Sequence, residues 1–110
     1  MSKLTIAGAL RTLEASGTDF ARLLERETFD VGLYKPDKID PQGPHVRDEV
    51  YVIASGSGFF EHKGVTEAVA AGDVLFVPAG DPHRFRDFTD DFSAWVVFFG
   101  HRANPAEAAS

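Results

Sequence analysis

The residues best suited to chemistry are two histidines and a glutamate in two separate stretches of the chain. His45 and Glu49 lie at the start of an apolar segment, and His83 follows a turn-rich segment much later. Imidazole nitrogen and carboxylate oxygen bind iron, manganese, nickel or zinc, and the lack of cysteine excludes thiolate ligands. The three side chains could hold one face of a divalent metal ion and leave other positions for water or substrate.

The spacing of His45 and Glu49 constrains the backbone between them. In a straight strand, residues four apart are separated by about 13 Å, near the limit of what the two side chains can span to one metal ion. If both bind, the chain must bend or bulge between Val46 and Asp48. We expect that bend to turn Arg47 away from the interior.

The alternation of side chains along a strand predicts which residues share the face of the metal ligands. Tyr51 falls on the face of Glu49, and its phenol is the candidate catalytic group, as a proton donor. Apolar neighbours would complete a pocket of the kind that binds small molecules. The neighbours expected on these faces are Ile53, Phe85, Asp87 and either Trp95 or Phe99.

The first element that the sequence predicts is a short helix over residues 5–16. Ile6, Leu10 and Leu13 recur at helical spacing, and Gly17 follows as a C-terminal cap would. We expect the apolar stripe of this helix to pack on the rest of the domain or on a partner subunit.

Beyond the helix, the hydrophobic pattern changes to that of short strands separated by turn-forming residues. Many short strands with no helices between them predict an all-β fold, an antiparallel sandwich or barrel. The predicted strands are Phe20–Arg26, Phe29–Lys35, Val50–Ala54, Gly58–His62, Thr66–Ala70, Val74–Val77, His83–Phe88 and Ala94–Phe99.

Two stretches, Pro44–Gly58 and Gly72–Asp87, resemble the two motifs of the cupin superfamily. In the first motif, His45 falls on the second histidine, Glu49 on the glutamate and Gly56 on the glycine. In the second motif four residues match at every spacing and Asp87 stands where asparagine is common. The four matching residues are Gly72, Pro78, Gly80 and His83.

The resemblance implies an antiparallel jelly-roll β-barrel with His45, Glu49 and His83 as its metal ligands. The chain departs from the pattern at Gly43, which stands where cupins have the first motif histidine. Gln42 is adjacent and carries an amide oxygen, but alternation puts it on the opposite side of a straight strand. The resemblance therefore implies a site with at most two histidines and one glutamate.

Two functions remain open. The first is a metal-dependent enzyme, an oxygenase, isomerase or lyase acting on a small organic substrate. The second is a non-catalytic module that binds a small ligand, with a degenerate site in which Glu49 pairs with His83 or an arginine. His62 and His101 are interpreted as ordinary polar residues at strand ends.

The overall composition limits the possible partners and the number of domains. A chain of 110 residues with 44% hydrophobic residues accommodates one core, predicted as a single domain over residues 1–102 with a flexible tail over 103–110. A net charge of -6 without a basic patch argues against nucleic acid, and no apolar run would span a membrane. We expect a cytoplasmic protein, as a homodimer joined through Phe20–Phe29 or Phe92–Phe99.

Overall fold

Two antiparallel β-sheets pack face to face behind one N-terminal helix in the computed structural model, which describes residues 3–40 and 46–100. The predicted antiparallel barrel with a short helix is confirmed. The predictions for Gln42, Gly43, His45 and the tail lie outside the described residues. No helix among the described residues is long and apolar enough to cross a membrane.

Helix α1 spans Ile6–Ser16, in agreement with the predicted range. It begins at Thr5, whose side-chain oxygen accepts a hydrogen bond from the backbone N–H of Gly8 at 3.1 Å. It ends at Gly17, which adopts a left-handed φ of 70°.

The buried face of α1 differs in part from the predicted stripe. Leu13 is buried as expected, but its buried partner is Ala9, whereas Ile6 is 37% exposed. The helix packs on the first two strands and covers the outward-facing side chains of Ala21 and Leu33, which are buried.

All eight predicted strands are present, with ends that differ from the predicted ones by at most two residues. The shortening of the seventh strand has a clear cause: Asp87 adopts a φ of 48°, which ends the extended backbone. The strands are β1 Phe20–Glu25, β2 Phe29–Tyr34, β3 Asp48–Ser55, β4 Ser57–His62, β5 Val65–Ala70, β6 Val74–Val77, β7 His83–Arg86 and β8 Ser93–Phe99.

The larger sheet has the strand order β1-β2-β8-β3-β6, and the smaller has the order β5-β4-β7. Their inner faces enclose the core, which is rich in aromatic rings. Buried rings from both sheets and from the turn before β8 meet there, and they are those of Tyr34, Tyr51, Phe60, Phe85, Phe92 and Phe98.

The outer face of the larger sheet is apolar across its strands β8, β3 and β6. Register pairing places Val97, Val50 and Phe76 in one row across these strands. Trp95, Val52 and Val74 form a second row beside the first. Phe76 is 56% exposed and Val74 is 64% exposed, so α1 does not cover this part of the sheet. These six residues are called the apolar sheet face below.

Candidate functional site

Glu49 and His83 approach each other between the two sheets, as the strand alternation predicts. Glu49 lies on β3 and His83 is the first residue of β7, and both point inward. The Oε1 atom of Glu49 lies 3.7 Å from Nε2 of His83, and the two side chains are at most 1% exposed. A carboxylate and an imidazole from different sheets therefore share one buried position.

The ring of His83 is oriented by the turn that precedes it. Its Nδ1 lies 2.9 Å from the backbone carbonyl oxygen of Asp81, and a carbonyl oxygen only accepts, so Nδ1 carries a hydrogen. In the neutral ring, the lone pair of Nε2 then faces Glu49. The Asp81 carboxylate is in turn 2.8 Å from Nε2 of His62. His62 thus has a polar partner, in keeping with its interpretation as a structural residue.

Tyr51 completes a buried polar group with Glu49 and His83. Its hydroxyl oxygen lies 3.1 Å from Nε2 of His83, and the residue is fully buried. The same hydroxyl can alternatively donate its one hydrogen to the Glu49 carboxyl, and that hydrogen bond lowers the pKa of Glu49. The phenol of Tyr51 is therefore within reach of both proposed metal ligands.

The surroundings of Glu49 favour its neutral form. Burial raises the pKa of Glu49 to about 7, and the negative charge of Asp40 acts in the same direction. The hydrogen bond from Tyr51 opposes both effects without cancelling them. A bound cation would reverse this preference, because a metal ligand must be deprotonated.

Asp40 connects the loop after β2 to the strand that carries His83. One carboxylate oxygen accepts from the hydroxyl of Tyr34 at 2.5 Å, and the other accepts from the backbone N–H of Phe85 at 2.7 Å. Burial, and then this hydrogen bond, raise the pKa of Tyr34 well above its ordinary range, so the phenol remains a donor. Asp40 is 3% exposed, and it fixes β7 at a position two residues beyond His83.

The segment before β3 bends, and the expected orientation of Arg47 is wrong. Val46 and Arg47 form a bend outside the strand, where the predicted one would lie. Arg47 is nevertheless only 8% exposed, and its Nη1 lies 3.0 Å from the carboxylate of Asp30 on β2. This buried partner holds the guanidinium at the sheet, so the bend does not release it to solvent.

Three of the expected neighbours are placed wrongly, and two are placed correctly. Ile53 and Phe85 are buried as expected. The register pairs Glu49 with Phe98, so Phe98 points inward, whereas Trp95 and Phe99 belong to the opposite, outer face. Asp87 is exposed because its left-handed backbone ends β7 before the alternation reaches it.

Aromatic side chains fill the interior beside the Glu49–His83 pair. The ring centroid of Phe85 is 5.1 Å from that of Tyr51 and 4.9 Å from that of Phe60. The ring of Phe60 is also 6.2 Å from the ring of His83. Among the described residues, the pair is thus enclosed by packed rings.

A surface cavity of about 430 Å³ lies next to this aromatic cluster. Phe60 lines the cavity and also packs on Tyr51 and His83. Its ring therefore contacts both the cavity and the buried polar group. The other lining residues are His62, Lys63, Val65, Glu67, Val74, Leu75 and Phe76.

The donor atoms present fit part of a divalent-metal site. A cation about 2.1 Å from each of two donor atoms spans at most about 4 Å between them, and the observed 3.7 Å lies within that limit. Within residues 3–40 and 46–100, no group of three or more histidine, cysteine, aspartate or glutamate side chains is arranged to bind a metal ion. A third protein ligand would therefore have to come from outside these described residues.

Sequence reasoning missed the three aspartates that organise this region. Asp30 is the only charged residue of β2, a signal that marks a buried partner when it interrupts an apolar strand. Asp40 and Asp81 lie in segments that were interpreted only as turns. Nothing in the local sequence identifies Phe85 or His62 as their partners.

The comparison with protein families identifies the chain as a cupin. The model of the cupin domain matches residues 31–99, which include most of β2 and all of β3 to β8. The chain therefore belongs to the cupin family, as the two motifs implied.

Three proteins found by comparison are similar to part or most of this chain. An uncharacterised protein of Streptomyces coelicolor is 38% identical over 81 residues, which cover 72% of this chain and 77% of that protein. An acireductone dioxygenase of Geobacillus thermodenitrificans is 38% identical over 69 residues, covering 48% of this chain and 38% of the dioxygenase. The crystal structure of a candidate mannose-6-phosphate isomerase from Ralstonia eutropha has a TM-score of 0.62 and 26% identity, covering 74% of this chain and 82% of that one.

The fold also extends to more distant proteins. KdgF from Halomonas has a TM-score of 0.67 with 17% identity, covering 76% of this chain and 79% of that one. At this identity the likeness concerns the fold alone.

Proposed function

We propose that this cupin is a metal-dependent enzyme acting on a small organic substrate, with Glu49, His83 and His45 as the metal ligands. The observation that carries the proposal is the 3.7 Å approach of the Glu49 and His83 donor atoms in a buried position. Similarity to a protein named as a dioxygenase and to one described as a candidate isomerase supports an oxygenase or isomerase reaction over other chemistry. Iron, manganese, nickel and zinc all suit this donor set.

The orientation of His83 supports its role as a ligand. Histidines that bind metals usually donate their other ring N–H to a carbonyl or carboxylate, which fixes the tautomer and the direction of the ring. The bond from Nδ1 to the carbonyl of Asp81 has this form. The ring is therefore held ready with its Nε2 lone pair toward Glu49.

Tyr51 is the proposed catalytic residue. When bound, the metal ion would act as a Lewis acid or oxygen activator. If Nε2 of His83 bound the metal ion, the Tyr51 hydroxyl would be available to hydrogen-bond to Glu49 or to a substrate oxygen. A neutral phenol in that position can hold or supply a proton, while the surrounding rings limit the access of water.

A second function is favoured by the packing of the interior. Phe60, Phe85 and Tyr51 fill the space beside the pair, and Gly43 replaces one ligand of the family pattern. A cupin with such a site could act as a non-catalytic module in which Glu49 and His83 pair with each other. The surface cavity beside Phe60 would then be the place for a small ligand.

Metal analysis distinguishes these two functions. Protein purified without chelator is expected to contain close to one equivalent of iron, manganese, nickel or zinc. The His83→Ala variant is expected to lose that metal because a buried donor with a fixed direction is removed. Metal content is measured by mass spectrometry of the elements after extensive dialysis.

The matched control is His62→Ala. His62 lies beside His83 across the β4–β7 pairing but binds Asp81 at the surface side, so its loss should leave the metal content near that of the wild type. Metal that is substoichiometric in the wild type and unchanged by His83→Ala would leave only the binding module.

We also propose that the protein is a homodimer joined through the apolar sheet face. Isologous interfaces bring the same patch of two copies together, and a face without charged side chains meets its copy without repulsion. The expected interface through Phe92–Phe99 requires revision at its first residue, because Phe92 is fully buried in the core. The exposed rings of Phe76 and Phe99 instead lie on the outer side of the sheet.

A further inference from the structure

One guanidinium group connects three neighbouring strands at the end of the larger sheet where Glu49 lies. The Nη1 atom of Arg47 bonds the Asp30 carboxylate on β2 at 3.0 Å. Its Nη2 atom donates to the carbonyl oxygen of Gly100, just beyond β8, at 2.8 Å. Arg47 itself precedes β3, so the ends of β2, β8 and β3 are tied together by one side chain.

This contact is buried and therefore costly to break. Asp30 is fully buried and Arg47 is 8% exposed. Removing one member of a buried ion pair leaves the other charge with less compensation and is strongly destabilising, whereas replacing both is far less damaging. The Asp30–Arg47 pair therefore restrains the position of Arg47 more strongly than a surface ion pair could.

The position of Arg47 in the chain gives this geometry a consequence for the site. Arg47 lies two residues before Glu49 and two residues after His45. Asp30 on β2 and Glu49 on β3 both pair with Phe98 on β8. The two residues therefore lie in the same row of the sheet, on the two strands that flank β8. The guanidinium therefore fixes the backbone just before Glu49 against the sheet row that contains Glu49.

We infer that Arg47, held by Asp30, is a positioning residue for the proposed metal ligand Glu49, an inference that rests on the proposed function. Arg47 is a cation and is not one of the proposed metal ligands. It fixes the bend before β3, and through that bend the direction of the Glu49 carboxylate toward His83. Groups that orient metal ligands typically contribute a factor of about 10 to 100 in metal affinity.

The test compares metal affinity with fold stability in the full chain. Apoprotein is prepared with a chelator, and Zn²⁺ and Co²⁺ affinities are measured by calorimetric titration well below the unfolding temperature. We expect Arg47→Gln and Asp30→Asn each to weaken binding about 10- to 100-fold. The visible spectrum of bound Co²⁺ should change as well, because the ligand geometry changes.

Arg22→Gln is the matched control. Arg22 also contacts the Asp30 carboxylate, with Nε at 3.5 Å, but it lies on β1 and is not between the proposed ligands. This substitution removes an arginine from the same carboxylate and is expected to change the metal affinity by less than about twofold. An equal loss of affinity in Arg22→Gln and Arg47→Gln would mean general destabilisation and would overturn the inference.

The double variant Asp30→Asn/Arg47→Met keeps the test valid if a single variant folds poorly. The double variant leaves no buried charge of the Asp30–Arg47 pair, and Arg22, which also loses its contact with Asp30, is 30% exposed to solvent, so the unfolding temperature should recover toward the wild-type value. Its metal affinity should stay low, since the bond to the Gly100 carbonyl is still absent. Recovery of both properties would overturn the inference.

The outcome for the wild type separates this inference from the proposed function. If wild-type protein binds metal and Arg47→Gln binds it within twofold, only the positioning role fails. If wild-type protein takes up neither Zn²⁺ nor Co²⁺, the proposed metal site fails, and the positioning role fails with it.

Discussion

Glu49 is a carboxyl group that the fold buries almost completely, so the protein's stability should depend on its protonation. Its pKa rises from an ordinary value of 4.5 to about 7, chiefly through burial. Between pH 4.5 and about pH 7, the folded state therefore keeps a proton on Glu49 that the unfolded chain has released. In the metal-free protein, the stabilisation from protonated Glu49 is complete below pH 4.5 and is lost as the pH rises to 7.

The expected size of this effect follows from the shift. A pKa shift of one unit corresponds to about 1.4 kcal/mol, so the contribution of Glu49 to the free energy of unfolding should fall by about 3 kcal/mol between pH 4.5 and about pH 7. Glu49→Gln cannot ionise, so its stability relative to the wild type should rise by about that amount between pH 4.5 and pH 7.5. Urea denaturation of chelator-treated protein at several pH values measures the difference.

Glu67→Gln is the control for this prediction. Glu67 is an exposed carboxyl on β5, so the same substitution there changes no buried charge. If the stabilities of wild type and Glu49→Gln changed in parallel with pH, Glu49 would not be the group responsible.

At the scale of the elements, the turn between β3 and β4 depends on a glycine. Gly56 adopts a φ of 74°, and a Cβ atom there would lie only 2.7 Å from the Cα of Phe92. Gly64 in the β4–β5 turn has a similar φ of 82°, but no described atom lies within 4 Å of such a Cβ. The two positions therefore separate backbone strain from steric conflict.

Substitution by alanine should affect these two turns differently. Gly64→Ala is expected to cost about 1–2 kcal/mol, the usual cost of a left-handed backbone with a side chain. Gly56→Ala is expected to cost about 2–5 kcal/mol, because overpacking against Phe92 adds to the strain. Equal losses in the free energy of unfolding, measured with urea, would contradict a steric role for Gly56.

The elements were predictable because their signals are local. Turn residues and alternation along the chain determine each strand, and the family pattern includes Gly56. The buried face of α1 was less predictable, because Ala9 is small and contributes little to a hydrophobic pattern. Trp95 was assigned to the wrong face because the facing of β8 depends on its pairing with β3.

The site was predictable only in part, for a related reason. Alternation along each strand places Glu49 and His83 inward without knowledge of the partner strand. The bond between Asp40 and the backbone of Phe85 joins residues 45 apart in sequence, and Arg47 and Asp30 are 17 apart. Such contacts are created by the topology and leave no local signal.

At the scale of the whole molecule, the apolar sheet face should determine the oligomeric state. The wild type is expected to be a dimer by light scattering coupled to size-exclusion chromatography. Phe76→Glu should shift it to monomer, since it places a charge within the proposed interface. Phe76 points away from the core, so the fold should be retained.

Phe59→Glu is the control, because Phe59 is 42% exposed but lies on β4 in the smaller sheet. It should leave the dimer intact. A wild-type protein that is a uniform monomer, or a dimer that survives Phe76→Glu, would contradict the proposed interface.

The buried contacts of Asp40 and Arg47 also bear on how the sequence of this protein can change in evolution. Asp40 is anchored to β2 and β7, and Arg47 is anchored to β2 and the end of β8. These two residues bracket the stretch of sequence that contains Gly43 and His45. Both anchors are made by residues outside that stretch. A substitution at Gly43 or His45 would therefore change the number of proposed metal ligands while the residues that make the two anchors stay the same.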